Sequence, residues 1–565
     1  ILLHVTKALA MNMLIGNCGL GILLVILPWD VTGFAAKLPM IFTQNGILKK
    51  SSIPLFASSL STSRSRSASN LQDWTRVGGG ASESGLKLGG VAIQESLLGG
   101  LGLIISSSTS SIPTNTILVS IPTSMAITVD SSSGPDDASL TDLAINNRKE
   151  LRKLPWFVQF SVYLQALDKI SSQREVSTKG TSVLPMQPWL DSLPRSFDTP
   201  IHWSPSDLES LHYSHMVDSV TRQQSEWKTL YSTVEQISKP SLKLTYTDFV
   251  WGCECARSRA FSGSYTGSAF RPEIYAFTLI LVIIYAGLGF GSLEQAANGA
   301  GLVLCASIFK DFILPKLFQS KKYVICPIID MANHNSLQAT AEVSFEYFAD
   351  AYTLATTSAV SKGSEVLISY GTRSNDQLLQ YYGFVESNNP HDVYIMPPLG
   401  EWNIAALEDA CGVSAFEPGR LERLNRAGLL GLVGVPSASD DEDNRANPRG
   451  GVVVTRSAGL DPAVWQALRA LVATADEWEA AGEAIGNFSE LMSPSNELRA
   501  RKAALRAIQL ELASKPTTLE QDVELWKRRS SKSMDKYETL ALEFRIEKKK
   551  LLHEVMSDLV SQIDA

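Results

Sequence analysis

The sequence predicts an α+β protein, in which a strand-rich region interrupted by helices is followed by a helical region. Runs rich in Ile, Val and Thr at residues 114–128 and an apolar run just before Asp330 are typical of strands. Amphipathic segments with helical spacing lie between these runs, and the same spacing returns in the last third of the chain. With 565 residues the chain exceeds what one hydrophobic core usually serves, so we expect at least two domains.

Charge and cysteine content exclude some classes of protein. The formal net charge is -8, whereas nucleic-acid binders usually carry clustered positive charge, so we expect no nucleic-acid partner. The six cysteines are few and irregularly spaced, which is typical of a reducing compartment. Cys253 and Cys255 form a CxC pair, but no second pair follows at the spacing of a structural zinc site, and we predict no metal.

The first ninety residues have the composition of a targeting presequence. Residues 11–29 form an almost uncharged apolar run that suits the core of a signal peptide and is close to the length of a membrane span. Residues 47–70 are rich in Ser and Arg and contain no acid, as in organellar transit peptides. We therefore predict a two-part plastid presequence that is disordered or removed. A membrane anchor, or an over-extended gene assignment on a cytoplasmic protein, would give the same pattern.

A glycine-rich turn at residues 99–102 precedes the first strand-like run. Its glycines permit close backbone approach to a ligand, but an ordinary β-turn also requires them. A dinucleotide-binding fold would need a helix directly afterwards and an acid about twenty residues on. The next segment is instead β-rich and its first acid is Asp130, so that fold is not predicted.

Helices are predicted between the two strand-rich parts. The segments LPWFVQFSVYLQAL and LPRSFDTPIHWSPSDLESLHYSHMVDSVTRQQSEW have amphipathic spacing and are joined by Pro-rich turns. His212 and His215 are three residues apart on one helix face, a spacing that could bind a metal. No carboxylate pattern completes such a site, so we predict a structural role for both. A further helix at Phe249–Phe261 contains Arg259.

Two segments between Tyr323 and Asn389 concentrate polar side chains. The first, YVICPIIDMANHNS, contains Asp330, Asn333 and His334, and the second, ISYGTRSNDQLLQYYGF, contains Tyr370 and Tyr382. An Asn-His dipeptide after an apolar run is usually a structural turn, so neither segment alone predicts a site. The occurrence of both segments within so short a span does predict a site.

Together the two segments resemble the signature of SET-domain protein methyltransferases, in the branch of the Rubisco large-subunit lysine methyltransferase and the actin-histidine methyltransferase. The resemblance implies a SET β-fold with a threaded, knot-like segment and a helical insertion. It implies that Tyr370 is catalytic and that Asp330 and Tyr382 lie on the substrate side. The residues that it implies at the cofactor, S-adenosylmethionine, are Gly100, Leu101, Gly102, Arg259, Asn333 and His334.

Two features near Arg259 bear on this resemblance. The SRAF motif is intact at residues 258–261, but a substrate-contacting arginine of the family falls on Gly263, which leaves the substrate open. The apolar stretch Ile274–Phe290 reaches only the lower length limit of a membrane span. We predict a packed insertion, because a membrane crossing there would separate Arg259 from Asn333.

The resemblance implies three parts of the chain: the presequence at 1–90, a SET domain at 91–395 and an all-α substrate-binding domain at 396–565. The SET domain would contain a helical insertion at about 140–245 and an apolar insertion at about 272–320. The carboxy-terminal domain, recognised by PTTLEQD and ALEFRIEKK, would contain a flexible loop at 436–451. We expect its final helices to dock the substrate through exposed charges, such as Lys536, Arg545 and Lys549.

The resemblance implies S-adenosylmethionine-dependent methylation of a lysine in a non-histone protein, such as Rubisco or another plastid or cytosolic protein. The cysteine-rich zinc cluster of many histone-directed SET enzymes is absent from the sequence. Histidine methylation is an alternative, because YGTRSN also resembles the histidine-specific member, and so is a catalytically silent SET-fold protein that only binds a partner. We expect a monomer that contacts a membrane only through an uncleaved amino-terminal segment.

Overall fold

The computed structural model describes residues 58–76, 82, 85–106, 110–130, 134–135, 145–174, 186–240, 243–262, 322–346, 349–412, 419–431, 451–482, 484–529 and 534–565. Several sequence predictions fall outside these ranges: residues 1–57 of the presequence, Gly263, the apolar stretch Ile274–Phe290, and the loop 436–451 except its last residue. None of the helices within the described ranges combines the length and apolar character of a membrane span.

Short strands form the strand-rich region, as its Ile, Val and Thr content predicts. In chain order the strands are β1 (Lys87–Leu88), β2 (Val91–Glu95), β3 (Leu101–Ile105), β4 (Ser111–Ile112), β5 (Ile117–Pro122), β6 (Ile127–Asp130), β7 (Gly134–Pro135), β8 (Phe261–Ser262), β9 (Lys322–Ile325), β10 (Asn333–His334), β11 (Ala341–Glu346), β12 (Ala351–Thr356), β13 (Val360–Ser361) and β14 (Leu367–Ile368). The carboxy-terminal region adds β15 (Val393–Met396), β16 (Val452–Thr455) and β17 (Gly459–Leu460).

Two four-stranded antiparallel sheets, ordered β1-β5-β12-β11 and β7-β6-β9-β8, carry most of the strand-rich region. The hairpin β2–β3 and the pair β4–β13 lie beside them. Strands β10 and β14 pair in parallel, which aligns Asn333 with Leu367 and His334 with Ile368. This short pairing joins the two motif segments of the sequence, because Tyr370 lies two residues after the end of β14.

Helices occupy both the insertion and the carboxy-terminal region. In chain order they are α1 (Ser58–Thr75), α2 (Arg148–Leu151), α3 (Trp156–Arg174), α4 (Gln187–Ser192), α5 (Pro205–Glu209), α6 (Ser214–Ile237), α7 (Tyr246–Arg259), α8 (Asn375–Tyr382), α9 (Ile404–Cys411), α10 (Gly419–Arg426), α11 (Pro462–Val472), α12 (Ala475–Ala480), α13 (Pro494–Ala513), α14 (Leu519–Arg528) and α15 (Lys536–Asp564).

Helices α3 and α7 pack tightly and set the position of Arg259. The Thr245 side chain caps the start of α7 by accepting a hydrogen bond from the Asp248 N–H. A side chain at Gly252 of α7 would overlap Ser161 of α3, so glycine permits the close approach. The Ser161 hydroxyl donates to the Phe249 carbonyl at 2.9 Å across the contact. Arg259 is the last residue of α7 and projects from this fixed helix pair.

Helix α1 corrects the predicted presequence. The sequence analysis assigned residues 1–90 to a disordered or removed segment, but α1 packs against β2 and α4. Its Leu71 and Trp74 side chains are buried in the core of the strand-rich region. The Gln72 side chain accepts a hydrogen bond from the Ile93 N–H of β2 at 2.9 Å. The many Ser and Arg residues of α1 resemble the composition of a transit peptide. The apolar residues near the end of the helix, Leu71 and Trp74, pack in the core instead.

Two apolar cores divide the protein differently from the predicted boundaries. The first lies around the two large sheets with α1, α3 and α7. The second contains most carboxy-terminal helices and also Tyr394 and Met396 of β15, which pairs with β16. The predicted boundary at residue 395/396 therefore falls inside a strand. The predicted all-helical region also contains a three-stranded sheet, β15-β16-β17.

The insertion helix α6 belongs to both cores. Its early residues Met216 and Val220 lie in the second core, and its later residues Trp227 and Val234 lie in the first. Because one rigid helix serves both cores, the helical insertion does not pack as an appendage of the strand-rich region alone.

Two of the charges expected to be exposed on the last helix are buried. Arg545 and Lys549 of α15 both bond to the buried carboxylate of Asp522 in α14, at 3.0 and 2.5 Å. Only Lys536 of the three is exposed, and it pairs with Asp198. The prediction that Arg545 and Lys549 face a protein substrate is therefore wrong, because the α14–α15 contact uses their charges internally.

Truncation and substitution in α1 test its place in the fold. A chain that begins at residue 58 should have the same free energy of unfolding as the full chain. A chain that begins at residue 77 should have a much lower one, because the apolar surface under α1 becomes exposed. In the full chain, Leu71→Ala and Trp74→Ala should each lower the free energy of unfolding by about 2–5 kcal/mol. Urea unfolding measures this, with the exposed Ser69→Ala as control. Equal stability of the two truncated chains would contradict the packing of α1.

Candidate active site

The glycine turn holds the segment 363–366 against β3. Backbone hydrogen bonds join Ile105 N–H to the Ser364 carbonyl at 2.9 Å and Val366 N–H to the Leu103 carbonyl at 2.8 Å. Glu365 thereby lies over Gly102, where any larger residue would overlap its carboxylate. Gly99 and Gly100 form the turn itself with φ of 113° and 67°, in the region that favours glycine. The glycines therefore serve the turn and the approach of Glu365.

The Asn333 side chain is oriented by this carboxylate. Its Nδ2 donates to Glu365 Oε1 at 2.6 Å and lies 3.4 Å from the Leu101 carbonyl oxygen. The second Glu365 oxygen accepts from the Ser96 hydroxyl at 2.8 Å. Because both amide N–H groups are directed to partners within the chain, the Oδ1 atom of Asn333 is its available hydrogen-bonding atom. Asn333, Leu101 and the glycine turn thus form one connected cluster.

His334 connects β10 to the segment that carries Tyr370. Its Nδ1 accepts a hydrogen bond from the Tyr370 N–H at 3.0 Å, so that nitrogen carries no proton. Its Nε2 lies 3.3 Å from the Glu386 carboxylate and 3.2 Å from the Ser336 hydroxyl. This pattern selects the neutral tautomer with the proton on Nε2. Burial opposes ionisation of Glu386, but hydrogen bonds from His334 and Ser336 outweigh it and lower the pKa of that carboxyl.

Tyr370 is held between two aromatic rings. Its ring stacks on His334 with centroids 4.8 Å apart and on Tyr382 with centroids 5.0 Å apart. Its hydroxyl donates to the Ala332 carbonyl at 3.0 Å. Burial, reinforced by Tyr382, raises the pKa of Tyr370 above its usual range. The phenol is therefore neutral near pH 7 and can accept hydrogen bonds or weak C–H contacts through its oxygen.

Tyr382 owes its position to well-defined helix ends. Helix α8 begins after a reciprocal capping box between Ser374 and Gln377 and ends at Gly383, which has φ of 75°. Tyr382 is the last residue of the helix, stacks on Tyr370 and lines a cleft. The other residues that line the cleft are Trp156, Arg257, Ala260, Ser262, Tyr323, Arg373 and Tyr381.

Asp330 and Arg259 form an enclosed ion pair. Arg259 Nη1 lies 2.7 Å from Asp330 Oδ2, and the Trp189 indole N–H lies 3.2 Å from the same oxygen. The Asp330 side chain has no exposed surface. Burial raises the pKa of Asp330, although Arg259 and Trp189 oppose that shift. The predicted substrate contact of Asp330 is thus corrected: its carboxylate is directed to Arg259 and holds that guanidinium at the end of α7.

The turn that carries Asp330 has a strained backbone. Ile328 adopts φ of 75° and ψ of -50°, a conformation that β-branched residues rarely occupy. Such strain persists only where the surrounding contacts hold it, and here Asp330 N–H donates to the Cys326 carbonyl at 3.0 Å. The strained turn bends the chain between β9 and β10, so that Asp330 and Asn333 reach different partners.

The structure brings the site residues that the sequence named into three neighbouring groups. The first is formed by Asn333 and the turn with Gly100, Leu101 and Gly102, and the second by Arg259 and Asp330. His334, Tyr370 and Tyr382 form a stacked row beside them. Sequence reasoning missed Glu365, Glu386 and Trp189. The only signal for Glu365 was its place on the strand-like run before ISYG, where an acid is unusual on a half-buried segment.

Parts of the chain are similar in sequence to known proteins. Residues 420–552 match the family model described as Rubisco LSMT substrate-binding. The chain is 22% identical over 231 residues to the ribosomal lysine N-methyltransferase set10 of Schizosaccharomyces pombe, covering 40% of this chain and 33% of that protein. It is 37% identical over 67 residues to human SET domain-containing protein 4, covering 12% of this chain and 15% of that protein. The chain therefore spans a third or less of the length of these relatives.

The fold resembles solved structures of Rubisco LSMT. The SET domain of LSMT bound to lysine and AdoHcy matches with a TM-score of 0.50 and 17% identity, covering 88% of this chain and 92% of that one. Rubisco LSMT bound to AdoMet matches with the same score, identity and coverage. These likenesses confirm the predicted α+β fold.

Substitution of Glu365 tests whether it orients Asn333 for a ligand. Asn333→Ala and Glu365→Gln should each weaken binding of S-adenosylmethionine, the latter by about tenfold, because a charged hydrogen bond to the amide is lost. Calorimetric titration measures the affinity, and circular dichroism confirms folding. Glu342→Gln, an exposed acid on β11, is the matched control and should bind normally. Unchanged affinity in folded Asn333→Ala would exclude this cluster as the cofactor site.

Proposed function

From a SET-domain fold joined to a Rubisco LSMT substrate-binding region, we propose that this chain is an S-adenosylmethionine-dependent protein-lysine N-methyltransferase that acts on a non-histone protein. The single observation that carries the proposal is the neutral phenol of Tyr370, stacked between His334 and Tyr382 beside the Asn333 cluster. We propose Tyr370 as the catalytic residue, Tyr382 as a wall of the target channel, and Asn333 with the Leu101 turn as the cofactor site.

The residues of this site suit a displacement reaction that depends on alignment. S-adenosylmethionine, when bound, supplies an electrophilic methyl group on a positively charged sulfur. Oδ1 of Asn333 is an acceptor suited to the amine and ammonium groups of such a ligand, and the Leu101 turn offers backbone groups beside it. Tyr370 cannot act as an anionic base at neutral pH, because burial keeps its phenol protonated. Its role is to orient the attacking amine and to accept C–H contacts.

The cleft beside Tyr382 favours a neutral amine. Removing the proton of a free lysine at pH 7 costs roughly 4–5 kcal/mol, because its pKa is about 10.4. Trp156, Tyr323 and Tyr381 provide aromatic walls, and two guanidinium groups, Arg257 and Arg373, lie in the same lining. The like charge of these guanidinium groups disfavours an ammonium group and so lowers that cost.

A protein substrate is supported by the Rubisco LSMT substrate-binding match over residues 420–552. The relatives are named as ribosomal lysine methyltransferases and as LSMT, so ribosomal proteins and Rubisco are the classes that we would test first. The absence from the sequence of a cysteine-rich cluster after the SET domain supports a non-histone target. Histidine is the second candidate acceptor, because the segment YGTRSN at residues 370–375 resembles the histidine-specific methyltransferase of the branch.

The first test is transfer of a labelled methyl group to a whole-cell extract, followed by identification of the labelled residue. A native extract should accept label on lysine and a protease-digested extract should accept less, because docking requires a folded partner. Label on histidine would replace the lysine assignment. Cofactor binding without any transfer would favour a silent partner-binding protein.

Removal of the Tyr370 hydroxyl is the sharpest test of the catalytic assignment. Tyr370→Phe should leave S-adenosylmethionine affinity near normal and lower the rate of transfer on the order of 100-fold, because alignment of the amine is lost. Tyr231→Phe, at a half-buried position of α6 whose hydroxyl bonds to Glu235 and to the Leu244 carbonyl, removes a hydroxyl outside the stacked row and should react normally. A rate of methyl transfer by Tyr370→Phe within a few-fold of the rate of the unsubstituted protein would rule out a catalytic role for Tyr370.

We propose that the residues before Ser58 direct the protein to the plastid. The proposal is supported by the apolar run at residues 11–29 and the acid-free stretch that follows it. A fusion of residues 1–57 to a fluorescent protein should accumulate in plastids. Uniform cytosolic fluorescence would contradict delivery, and stable membrane association would indicate an anchor instead.

A further inference from the structure

The loop 383–392 holds Glu386 against His334. It connects α8 to β15, and Glu386 is the acceptor that faces the Nε2 atom of His334 at 3.3 Å. The same carboxylate accepts from the Ser336 N–H and hydroxyl, both at 2.7 Å. The geometry of His334, and through it the backbone of Tyr370, therefore depends on where this loop holds Glu386.

Asn375 fixes the backbone of Glu386. Its side chain is fully buried at the start of α8. Its Oδ1 accepts from the Glu386 N–H at 2.9 Å, and its Nδ2 donates to the Glu386 carbonyl at 3.1 Å. Nδ2 also donates to Asp392 Oδ2 at 3.0 Å, and the Asn375 N–H donates to Asp392 Oδ1 at 2.9 Å. Asn375 thus clamps both ends of the loop.

Lys548 of α15 completes this network from the carboxy-terminal region. Its buried ammonium group donates to Asp392 at 2.8 Å and to the Val393 carbonyl at 2.6 Å, and it also bonds to Asp376. Burial opposes its charge, but Asp376 and Asp392 outweigh that effect and raise the pKa of Lys548. The neighbouring Glu547 accepts from the Asn388 N–H at 2.8 Å. Two adjacent residues of one helix therefore hold the loop on both sides.

We propose that Asn375 and Lys548 are positioning residues for methyl transfer, acting through Asp392, Glu386 and His334 on Tyr370. The inference deepens the proposed function and rests on it. It makes α15, which lies largely within the segment matching the substrate-binding family, a structural part of the reaction centre as well as of a docking region. A substrate that moves α15 would change the site through this network.

A matched ion pair elsewhere separates positioning from mere stability. Arg469 and Glu497 form a partly buried pair at 2.7 Å between α11 and α13, away from the loop. Lys548→Met alone would leave Asp376 and Asp392 buried without their cation, so the test variant also carries Asp376→Asn. Only the Asp392 carboxylate then lacks its cation, and it still accepts hydrogen bonds from Asn375. Arg469→Met with Glu497→Gln is its control, and Asn375→Ala is the independent single substitution. Thermal unfolding gives the stability of each protein.

The decisive readout is the tautomer of His334, which does not require activity. The chain contains seven histidines, so selective ¹⁵N-histidine labelling gives few signals, and His334→Gln assigns the one of interest. The unsubstituted protein should show the Nε2–H tautomer. Asn375→Ala and the Lys548 double variant should shift these signals, and the Arg469 control should not, even where it unfolds at the same temperature.

Kinetics provide the second readout, with the labelled-extract assay at saturating S-adenosylmethionine. Asn375→Ala should lower kcat about tenfold while KM changes little, because alignment and not docking is affected. An unchanged His334 spectrum in folded Asn375→Ala, or equal changes in the control, would overturn the proposal. If Asn375→Ala does not fold, the Lys548 double variant decides by the same spectrum. A shifted spectrum in a protein without transferase activity would keep the network and reject the proposed function.

Discussion

The rest of the candidate site depends on the hydrogen bonds that the two ring nitrogens of His334 make. One ring nitrogen accepts the Tyr370 N–H, and the other faces Glu386. A single neutral tautomer satisfies both contacts, so the ring joins β10, the segment after β14 and the loop before β15 in one arrangement. The stacking of Tyr370 on the same ring follows from that arrangement. Loss of either contact would leave a buried ring nitrogen without a hydrogen-bond partner, which costs free energy in an enclosed site.

Two sets of buried, paired charges supply further constraints. Arg259 and Asp330 meet beneath the site, and Lys548 meets Asp376 and Asp392 beneath the neighbouring loop. Removing one member of such a pair usually costs about 3–5 kcal/mol, because the other is left buried and uncompensated. Each set links segments far apart in the chain: Arg259 and Asp330 join α7 to the turn before β10, and Lys548 joins α15 to α8 and to the loop before β15. The candidate site is thereby linked to α7 through Arg259 and to α15 through Lys548.

The two apolar cores are joined by elements that cross between them, and this explains why sequence boundaries fail. Helix α6 contributes to both cores, and Leu379 of α8 lies in the second core although α8 carries Tyr382 of the site. Strand β15 closes the loop that holds Glu386 and also begins the carboxy-terminal sheet. The region that matches the substrate-binding family model therefore shares its core with elements of the candidate site.

The sequence by itself determined the fold class, the helical and strand periods, the two motif segments and the family they resemble, because these depend on residues close together in the chain. Only the tertiary structure decided the partners of the polar side chains. Ser96 meets Glu365, which is 269 residues away in the chain, and Arg259 turns to Asp330 instead of leaving that carboxylate open to a substrate. The packing of α1 and the burial of Arg545 and Lys549 were hidden for the same reason. Composition and period describe which face of an element is apolar, but the partner of a buried charge is chosen by the fold that surrounds it.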